Sequence, residues 1–178
     1  MASTPETIFD TSSDTPPIIR PAREADLPPL TEIYNAAVTG TDFTGHLAPL
    51  TLDERRSWWV AHQDLRYPIL VAEANGEILG YASLSLWHDT PVYAQTVESS
   101  LYLAPGAQGR GLGTMLMRAL LEEARRLGHH VVLSRIWSGN VPSIAMCRKC
   151  GYDTVGVQRE VGRRHGVWED CVIMQVVL

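Results

Sequence analysis

The chain has 178 residues, of which 45% are hydrophobic and 20% are charged, and its formal net charge is −5. These values exclude a collagen, a wholly disordered chain and a disulfide-framed miniprotein, and they predict one folded domain. Glu6, Asp10 and Asp14 precede the first strongly apolar segment, so the rest of the chain is close to neutral. Because it also lacks a run of Lys and Arg, we do not expect a nucleic-acid partner.

The N-terminal segment and the longer apolar runs bear on location. Every apolar run is shorter than the ~18 consecutive residues of a membrane-spanning helix. The start of the chain has neither the basic region nor the apolar stretch of a secretory signal. Residues 1–17 are rich in Ser, Thr, Pro and Asp, which predicts a disordered leader. We therefore expect a cytoplasmic protein with no membrane partner and a single domain at residues 18–178.

The first predicted elements are one strand and two helices. Residues 18–19 are typical of an edge strand, and Asp26 is predicted to cap a helix that Gly40 ends. Thr51 and Glu54 form a T-x-x-E capping box, which predicts the start of a second helix.

A hairpin and a third strand come next. Residues 69–74 and 77–86 are rich in β-forming side chains and are joined by Asn-Gly at 75–76, which is a strong signal for a tight hairpin turn. Residues 96–103 predict another strand.

The last third of the chain alternates between the two kinds of element. Apolar residues at helical spacing predict a helix over 112–127, followed by a strand at 131–136 and a short helix at 142–150. Strands are expected at 154–158 and 172–178. The whole pattern predicts an α/β fold with a sheet of six or seven strands.

A glycine-rich loop leads directly into the helix at 112. Residues 108–113 read Gln-Gly-Arg-Gly-Leu-Gly. Backbone N–H groups at such a helix start suit a phosphate or pyrophosphate, since the helix dipole adds partial positive charge there. The G-x-G-x-x-G dinucleotide motif is not met because position 114 is Thr, and no Gly-Lys-Ser/Thr follows as in a nucleotide-hydrolysing P-loop. The alternative is a flexible turn without a ligand.

This loop resembles the Q/R-x-x-G-x-G/A acetyl-CoA signature of the GNAT superfamily of N-acetyltransferases. Asn140, Ser143 and the Gly-Tyr pair at 151–152 are similar to a second conserved piece of that superfamily, in the same order. The resemblance covers residues 18–178. It implies a GNAT-type mixed, mostly antiparallel sheet flanked by helices on both faces, with acetyl-CoA as co-substrate.

Within the superfamily, the chain resembles the phosphinothricin and methionine sulfoximine acetyltransferases. That resemblance implies acetyl transfer to the amino group of a small amino-acid-like substrate, and it also implies a homodimer. The alternatives are acetylation of a polyamine or a protein N-terminus, or an acyl-CoA-sensing domain without turnover. The residues that carry the resemblance lie in blocks at 20–22, 33–35, 67–73, 80–82, 97–103 and 165–170.

The resemblance also implies where acetyl-CoA binds. The strand before the loop would lend backbone groups to the pantetheine arm, and the loop would hold the pyrophosphate. Asn140 would contact the same arm, although it could instead cap the helix that follows. The implied cofactor-binding residues are Leu101, Tyr102, Leu103, Gln108, Gly109, Arg110, Gly111, Leu112, Gly113, Thr114, Asn140 and Ser143.

Glu98 is the candidate catalytic residue. An alkyl ammonium must lose a proton before it attacks a thioester, and the family resemblance implies a glutamate base at this position. An unpaired carboxylate in the apolar run 97–103 would be costly unless it faced a cavity or a partner. Two alternatives stay open: a structural ion pair with an Arg on a neighbouring strand, and proton transfer through a water relay.

Several residues are candidates for the acceptor site. An amino-acid acceptor needs a cationic partner for its anionic group, and the sequence does not choose among four candidates. These four are Arg135, Arg163, Arg164 and His165. The residues that the resemblance places around the acceptor are Trp87, His88, Thr96 and Val97, with Tyr34 and Phe43.

Cys147 stands where the family often has a Tyr or His that protonates the leaving thiolate. It could serve as that acid, or it could be a small apolar core residue. Cys147 and Cys150 form C-x-x-C, but with Cys171 as the only other cysteine we expect neither a zinc site nor a disulfide.

Overall fold

The computed structural model describes residues 16–178, so the predicted leader lies almost entirely outside the described residues. One seven-stranded sheet has the order β1-β2-β3-β4-β5-β7-β6, and only β4 and β5 run parallel. This confirms the predicted mixed, mostly antiparallel α/β architecture. The strands are β1 Ile18–Pro21, β2 Ile69–Ala74, β3 Glu77–Leu86, β4 Thr96–Leu103, β5 Val131–Trp137, β6 Asp153–Arg164 and β7 Val167–Val177; the helices are α1 Leu27–Gly40, α2 Leu52–Ala61, α3 Leu112–Arg126 and α4 Val141–Lys149.

Helices cover both faces of the sheet, as predicted. Leu30 and Ile33 of α1 pack with Val71 and Tyr81 on one face. On the other face, α3 and α4 pack on a larger cluster that includes Val97 of β4. The side chains of each strand alternate between these two clusters, so both faces of β2, β3 and β4 contribute to the core. Among the described residues, no helix is long and apolar enough to cross a membrane.

The two predicted helix starts behave differently. Thr51 caps α2 as expected: its Oγ1 accepts the Glu54 N–H, and Glu54 accepts the Thr51 N–H at 2.7 Å. The prediction that Asp26 caps α1 is wrong. Its carboxylate instead accepts two hydrogen bonds from Arg20, at 2.7 and 3.0 Å, and one from the Arg23 N–H.

The C-terminal hairpin is much longer than the sequence indicates. β6 and β7 extend to a two-residue turn at His165 and Gly166, both with positive φ, which is the geometry of a tight hairpin. The bulge between Gln158 and Gly162 interrupts the register. Most of β6 is exposed, so its side chains show no alternation that could have predicted its full length.

The sheet splits between β4 and β5. These strands pair over three positions only, from Thr96 with Val131 to Glu98 with Leu133. Ser99 lies at the split, where its hydroxyl bonds the Leu133 carbonyl at 3.0 Å. Beyond this point the far half of β4 pairs with β3 alone, so the split leaves one edge of β4 without a partner strand in the part of the chain that the structure describes.

Candidate active site

The unpartnered edge of β4 carries the backbone groups of Leu101 and Leu103. Leu84 of β3 lies opposite Ser99 of β4, but its N–H donates to the Pro68 carbonyl next to β2, at 3.0 Å. Ser99 therefore directs its own backbone groups away from β3 and toward the split. Because backbone groups alternate in direction along a strand, the even-numbered residues of β4 face β3 and the odd-numbered residues face the split. The Gln95 carbonyl supports this assignment, because Gln95 is odd-numbered and its carbonyl accepts two N–H groups at the start of β5, on the side of the split. Leu101 and Leu103 therefore present free backbone groups along the open edge.

Tyr102 differs from its two neighbours. It pairs with Tyr81 of β3, so its own backbone groups belong to the sheet. Its ring lies on the α1 face against Tyr34, with the ring centroids 5.0 Å apart. Tyr102 therefore offers no backbone groups along the open edge, in contrast to Leu101 and Leu103.

The glycine loop brings the start of α3 to this open edge. Gly109 and Gly111 have φ of 76° and 80°, a left-handed conformation that glycine adopts without strain. Gly111 precedes α3 and offers no side-chain cap. A Cβ on Gly113 would lie 3.7 Å from the side chains of both Leu101 and Leu103. The first N–H groups of α3, which have no acceptor within the helix, therefore lie beside β4.

The other residues predicted to bind the cofactor lie in the glycine loop and at the start of α4. Gln108 and Arg110 are exposed in the loop. Asn140 caps α4, because its Oδ1 accepts the Ser143 N–H at 3.2 Å. α4 itself reaches the start of α3, since Met146 lies 3.9 Å from the position of a Cβ on Gly113. The structure thus places α4, which Asn140 caps, next to the start of α3.

Glu98 lies at the apex of the split and is paired with Arg135 of β5. The guanidinium binds both carboxylate oxygens, with Nε at 2.8 Å and Nη2 at 2.9 Å. Its carbon atom lies 5.8 Å from the centre of the Trp87 ring. The Glu98 side chain is 14% exposed and that of Arg135 is 53% exposed. The ion pair weighed in the sequence analysis is therefore present, and it stands at the edge of solvent.

The residues predicted to surround the acceptor do not all meet there. Trp87 reaches the site through Arg135, and Thr96 is on the same face of β4 as Glu98. Val97 is fully buried on the opposite face, in the cluster beneath α3. His88 is half-exposed, and it contacts Asp89, Thr90 and Tyr93 of its own loop.

The structure also distinguishes the candidate cations. Arg135 is bound to Glu98. Arg164 is buried and occupied, because it donates to the Thr44 carbonyl and to Glu169 at 3.2 Å. Arg163 lies over the Trp168 ring, 5.4 Å from its centre, in the last hairpin. His165 forms the turn of that hairpin.

Cys147 lies on the buried side of α4 and packs in the core. Burial raises the pKa of its thiol to about 12. Such a thiol is a poor proton donor to the leaving thiolate. The thiol formed from that thiolate would be the stronger acid, since an unperturbed thiol has a pKa of about 8.5. This environment favours the core interpretation. Within residues 16–178, no group of three or more His, Cys, Asp or Glu side chains could hold a metal ion.

Arg55 is a feature that the sequence analysis missed. It is 4% exposed, and its guanidinium lies 3.9 Å from the centre of the Trp58 ring and 4.7 Å from that of Tyr34. It donates to the Tyr81 hydroxyl at 3.1 Å, and its Nε has no hydrogen-bond partner among residues 16–178. Two members of this cluster, Tyr34 and Tyr81, pack against the Tyr102 ring. No local pattern could have revealed the cluster, since its members come from α1, α2 and β3.

Comparison with known proteins agrees with this geometry. A profile described as the acetyltransferase (GNAT) family matches residues 29–152. The L-methionine sulfoximine/L-methionine sulfone acetyltransferase of Pseudomonas paraeruginosa is 42% identical, covering 90% of this chain and 94% of that protein. The phosphinothricin N-acetyltransferase of Streptomyces coelicolor is 39% identical, covering 85% and 91% respectively.

Solved structures place the fold in the same group. The Salmonella typhimurium acetyltransferase yncA, solved with its cofactor acetyl-CoA, superposes with a TM-score of 0.87 and 40% identity. The match covers 92% of this chain and 95% of that structure. The split sheet, the glycine loop and these matches together show that the chain belongs to the GNAT family of acetyltransferases.

Proposed function

We propose that this acetyltransferase transfers acetyl from acetyl-CoA to the α-amino group of a small amino-acid-like acceptor of the methionine sulfoximine, methionine sulfone or phosphinothricin type. The names of the relatives support this acceptor class. The observation that carries the proposal is the position of Glu98. It stands at the apex of the β4–β5 split, whose one arm has free backbone groups and ends beside the uncapped start of α3.

The groove fits the two chemically different parts of acetyl-CoA. The backbone groups of Leu101 and Leu103 would pair with the amides of the pantetheine arm, as an added strand pairs with a sheet edge. The N–H groups of residues 109–114 would bind the pyrophosphate at the start of α3. Tyr102 would contribute packing rather than backbone bonds. Bound acetyl-CoA supplies the thioester whose carbonyl carbon the acceptor amine attacks.

Glu98 would act on the acceptor. Its carboxylate binds the acceptor ammonium and then takes one proton, so the nitrogen lone pair becomes available for attack. The new C–N bond forms and the C–S bond breaks; the nitrogen then passes its second proton through water to the leaving thiolate, and Glu98 releases the first proton to solvent. Cys147 has no part in this step, because its thiol is buried in the core and its pKa is raised to about 12.

We further propose that the protein acts in the cytoplasm as a homodimer. The last hairpin supports an interface, since Val157, Val161 and Trp168 are each more than half exposed. Clustered apolar side chains on a surface commonly mark a protein contact. Sedimentation equilibrium should give twice the mass of 19.7 kDa; the mass of a single chain would contradict the dimer.

An acceptor screen tests the proposed activity. Methionine sulfone, methionine sulfoximine, phosphinothricin, spermidine and a short peptide are each mixed with acetyl-CoA, and release of free CoA thiol is followed. We expect turnover with the three amino-acid-like acceptors and little with the other two. Turnover only with spermidine or the peptide would contradict the proposed acceptor class. Binding of acetyl-CoA without turnover of any acceptor would support the sensing alternative.

A further inference from the structure

The Glu98–Arg135 pair is more than a neutralised charge. It presents a carboxylate and a guanidinium side by side at the apex of the split, and Arg135 is half-exposed there. An α-amino acid carries the complementary pair, an ammonium and a carboxylate on neighbouring atoms. The charges of the protein pair and of such an acceptor therefore match when the acceptor ammonium faces Glu98.

The atoms available on Arg135 suit this arrangement. Its bonds to Glu98 use Nε and Nη2 and do not use Nη1. A guanidinium has five N–H donors in a fixed fork, so it can hold one carboxylate and donate to a second. The centre of the Trp87 ring lies 5.8 Å from the guanidinium carbon atom, within the distance of a cation–π contact.

The candidate arginines of the β6–β7 hairpin, Arg163 and Arg164, are not placed to bind an acceptor carboxylate beside Glu98. Arg164 is buried and donates to Thr44 and Glu169. Arg163 is engaged with the Trp168 ring and the Gly166 carbonyl. Among the four cations left open by the sequence, only Arg135 contacts Glu98.

We propose that Arg135 is the acceptor-carboxylate receptor and that it makes the enzyme selective for zwitterionic amino acids over amines without a neighbouring anionic group. The inference rests on the proposed function. When the acceptor binds, its ammonium takes a place at the Glu98 carboxylate, and its carboxylate meets the guanidinium. Before it binds, Arg135 keeps Glu98 from standing unpaired in the groove.

The test compares two acceptors that differ only at this anionic group, namely methionine sulfone and its carboxamide. For the unmodified enzyme we expect kcat/KM to be at least about 10-fold higher for methionine sulfone, since a hydrogen bond between charged groups contributes about 1.5–3 kcal/mol. In Arg135→Ala, the KM for methionine sulfone should rise about 10- to 100-fold, while the KM for the carboxamide should change less than about 3-fold.

Two further variants separate recognition from a purely structural effect. Arg135→Lys should recover part of the selectivity, because it keeps the charge but loses the fork. Arg125→Ala also removes the arginine of an exposed Arg–Glu pair, at the far end of α3, and should leave the selectivity ratio unchanged. The comparison of ratios between enzymes cancels the lower basicity of the carboxamide's amine, which affects every variant equally.

The outcomes are distinguishable. If the unmodified enzyme turns over both acceptors equally, or if Arg135→Ala keeps its selectivity, Arg135 is not the receptor while the acetyltransferase activity stands. If the unmodified enzyme binds acetyl-CoA but turns over neither acceptor, the proposed acceptor class fails and this inference fails with it. Arg135→Lys allows the same comparison of ratios with the unmodified enzyme, so a poorly folded Arg135→Ala protein does not prevent the test.

Discussion

The first backbone N–H groups of α2 and those of α3 have opposite surroundings. At α2, the Thr51 hydroxyl caps the helix and two acidic residues, Asp53 and Glu54, lie in the first turn. At α3, Gly111 supplies no cap and the first turn holds no acidic residue. Every helix start has free N–H groups and partial positive charge. At α2 the Thr51 hydroxyl accepts one of these N–H groups, whereas α3 leaves its first N–H groups for an anion from outside the chain.

This difference separates stability from binding. Changes at the start of α2 should alter the free energy of unfolding without affecting acetyl-CoA. Changes at α3 should alter acetyl-CoA affinity, and changes at Glu98 should alter turnover of the acceptor without altering acetyl-CoA affinity. The three regions can therefore be tested independently.

The largest expected effect is on the rate. Glu98→Gln keeps the shape of the side chain but removes the proton acceptor, so kcat should fall about 100-fold or more. The acetyl-CoA Kd should stay within about 2-fold, because that molecule is bound at α3 and the β4 edge. Steady-state kinetics and calorimetry measure the two quantities.

Glu122→Gln is a matched control for this variant, since it also disturbs an Arg–Glu pair but lies exposed on α3. Its kcat should equal that of the unmodified enzyme. A Glu98→Gln enzyme within about 3-fold of normal activity would show that Glu98 is only a structural partner of Arg135.

The second effect is on binding. Gly111→Ala forces a side chain into a left-handed conformation with φ of 80°, which costs about 1–2 kcal/mol. Relief of that strain would move the first N–H groups of α3, so the acetyl-CoA Kd should weaken about 10-fold. Calorimetric titration measures it.

Gly76→Ala introduces the same strain in the β2–β3 turn, where φ is also 80°. It should reduce the melting temperature as much as Gly111→Ala does, and leave acetyl-CoA affinity unchanged. Equal losses of affinity in both variants would mean that α3 has no special role.

The smallest effect is on stability at α2. Thr51→Ala removes the cap and should cost about 1 kcal/mol, or about 2–4 °C in melting temperature for a domain of this size. Neither kcat nor acetyl-CoA affinity should change. A loss of affinity here would contradict the division of roles between the two helix starts.

The sequence predicted the starts of α2 and α3, because a capping box and a glycine loop each consist of residues that are close together in sequence. It also predicted the β2–β3 hairpin from Asn75 and Gly76. The prediction for Asp26 failed because Arg20, on a different element, competes for the carboxylate. No local pattern shows such a competitor.

The site itself was only partly predictable. Glu98 and Arg135 are separated by 37 positions in sequence and meet through the parallel pairing of β4 with β5. Sequence alone left Arg135 equivalent to Arg163, Arg164 and His165. The register of the strands, which depends on the whole sheet, decides which of them reaches Glu98.

Nuclear magnetic resonance can locate the acetyl-CoA site directly, by following the backbone amide signals as acetyl-CoA is added to the protein. We expect the largest shifts at Leu101, Leu103 and residues 109–114, and no shift at the N–H groups of residues 52–55 at the start of α2. Unchanged signals at 109–114, or shifts of similar size at both helix starts, would contradict the proposed site.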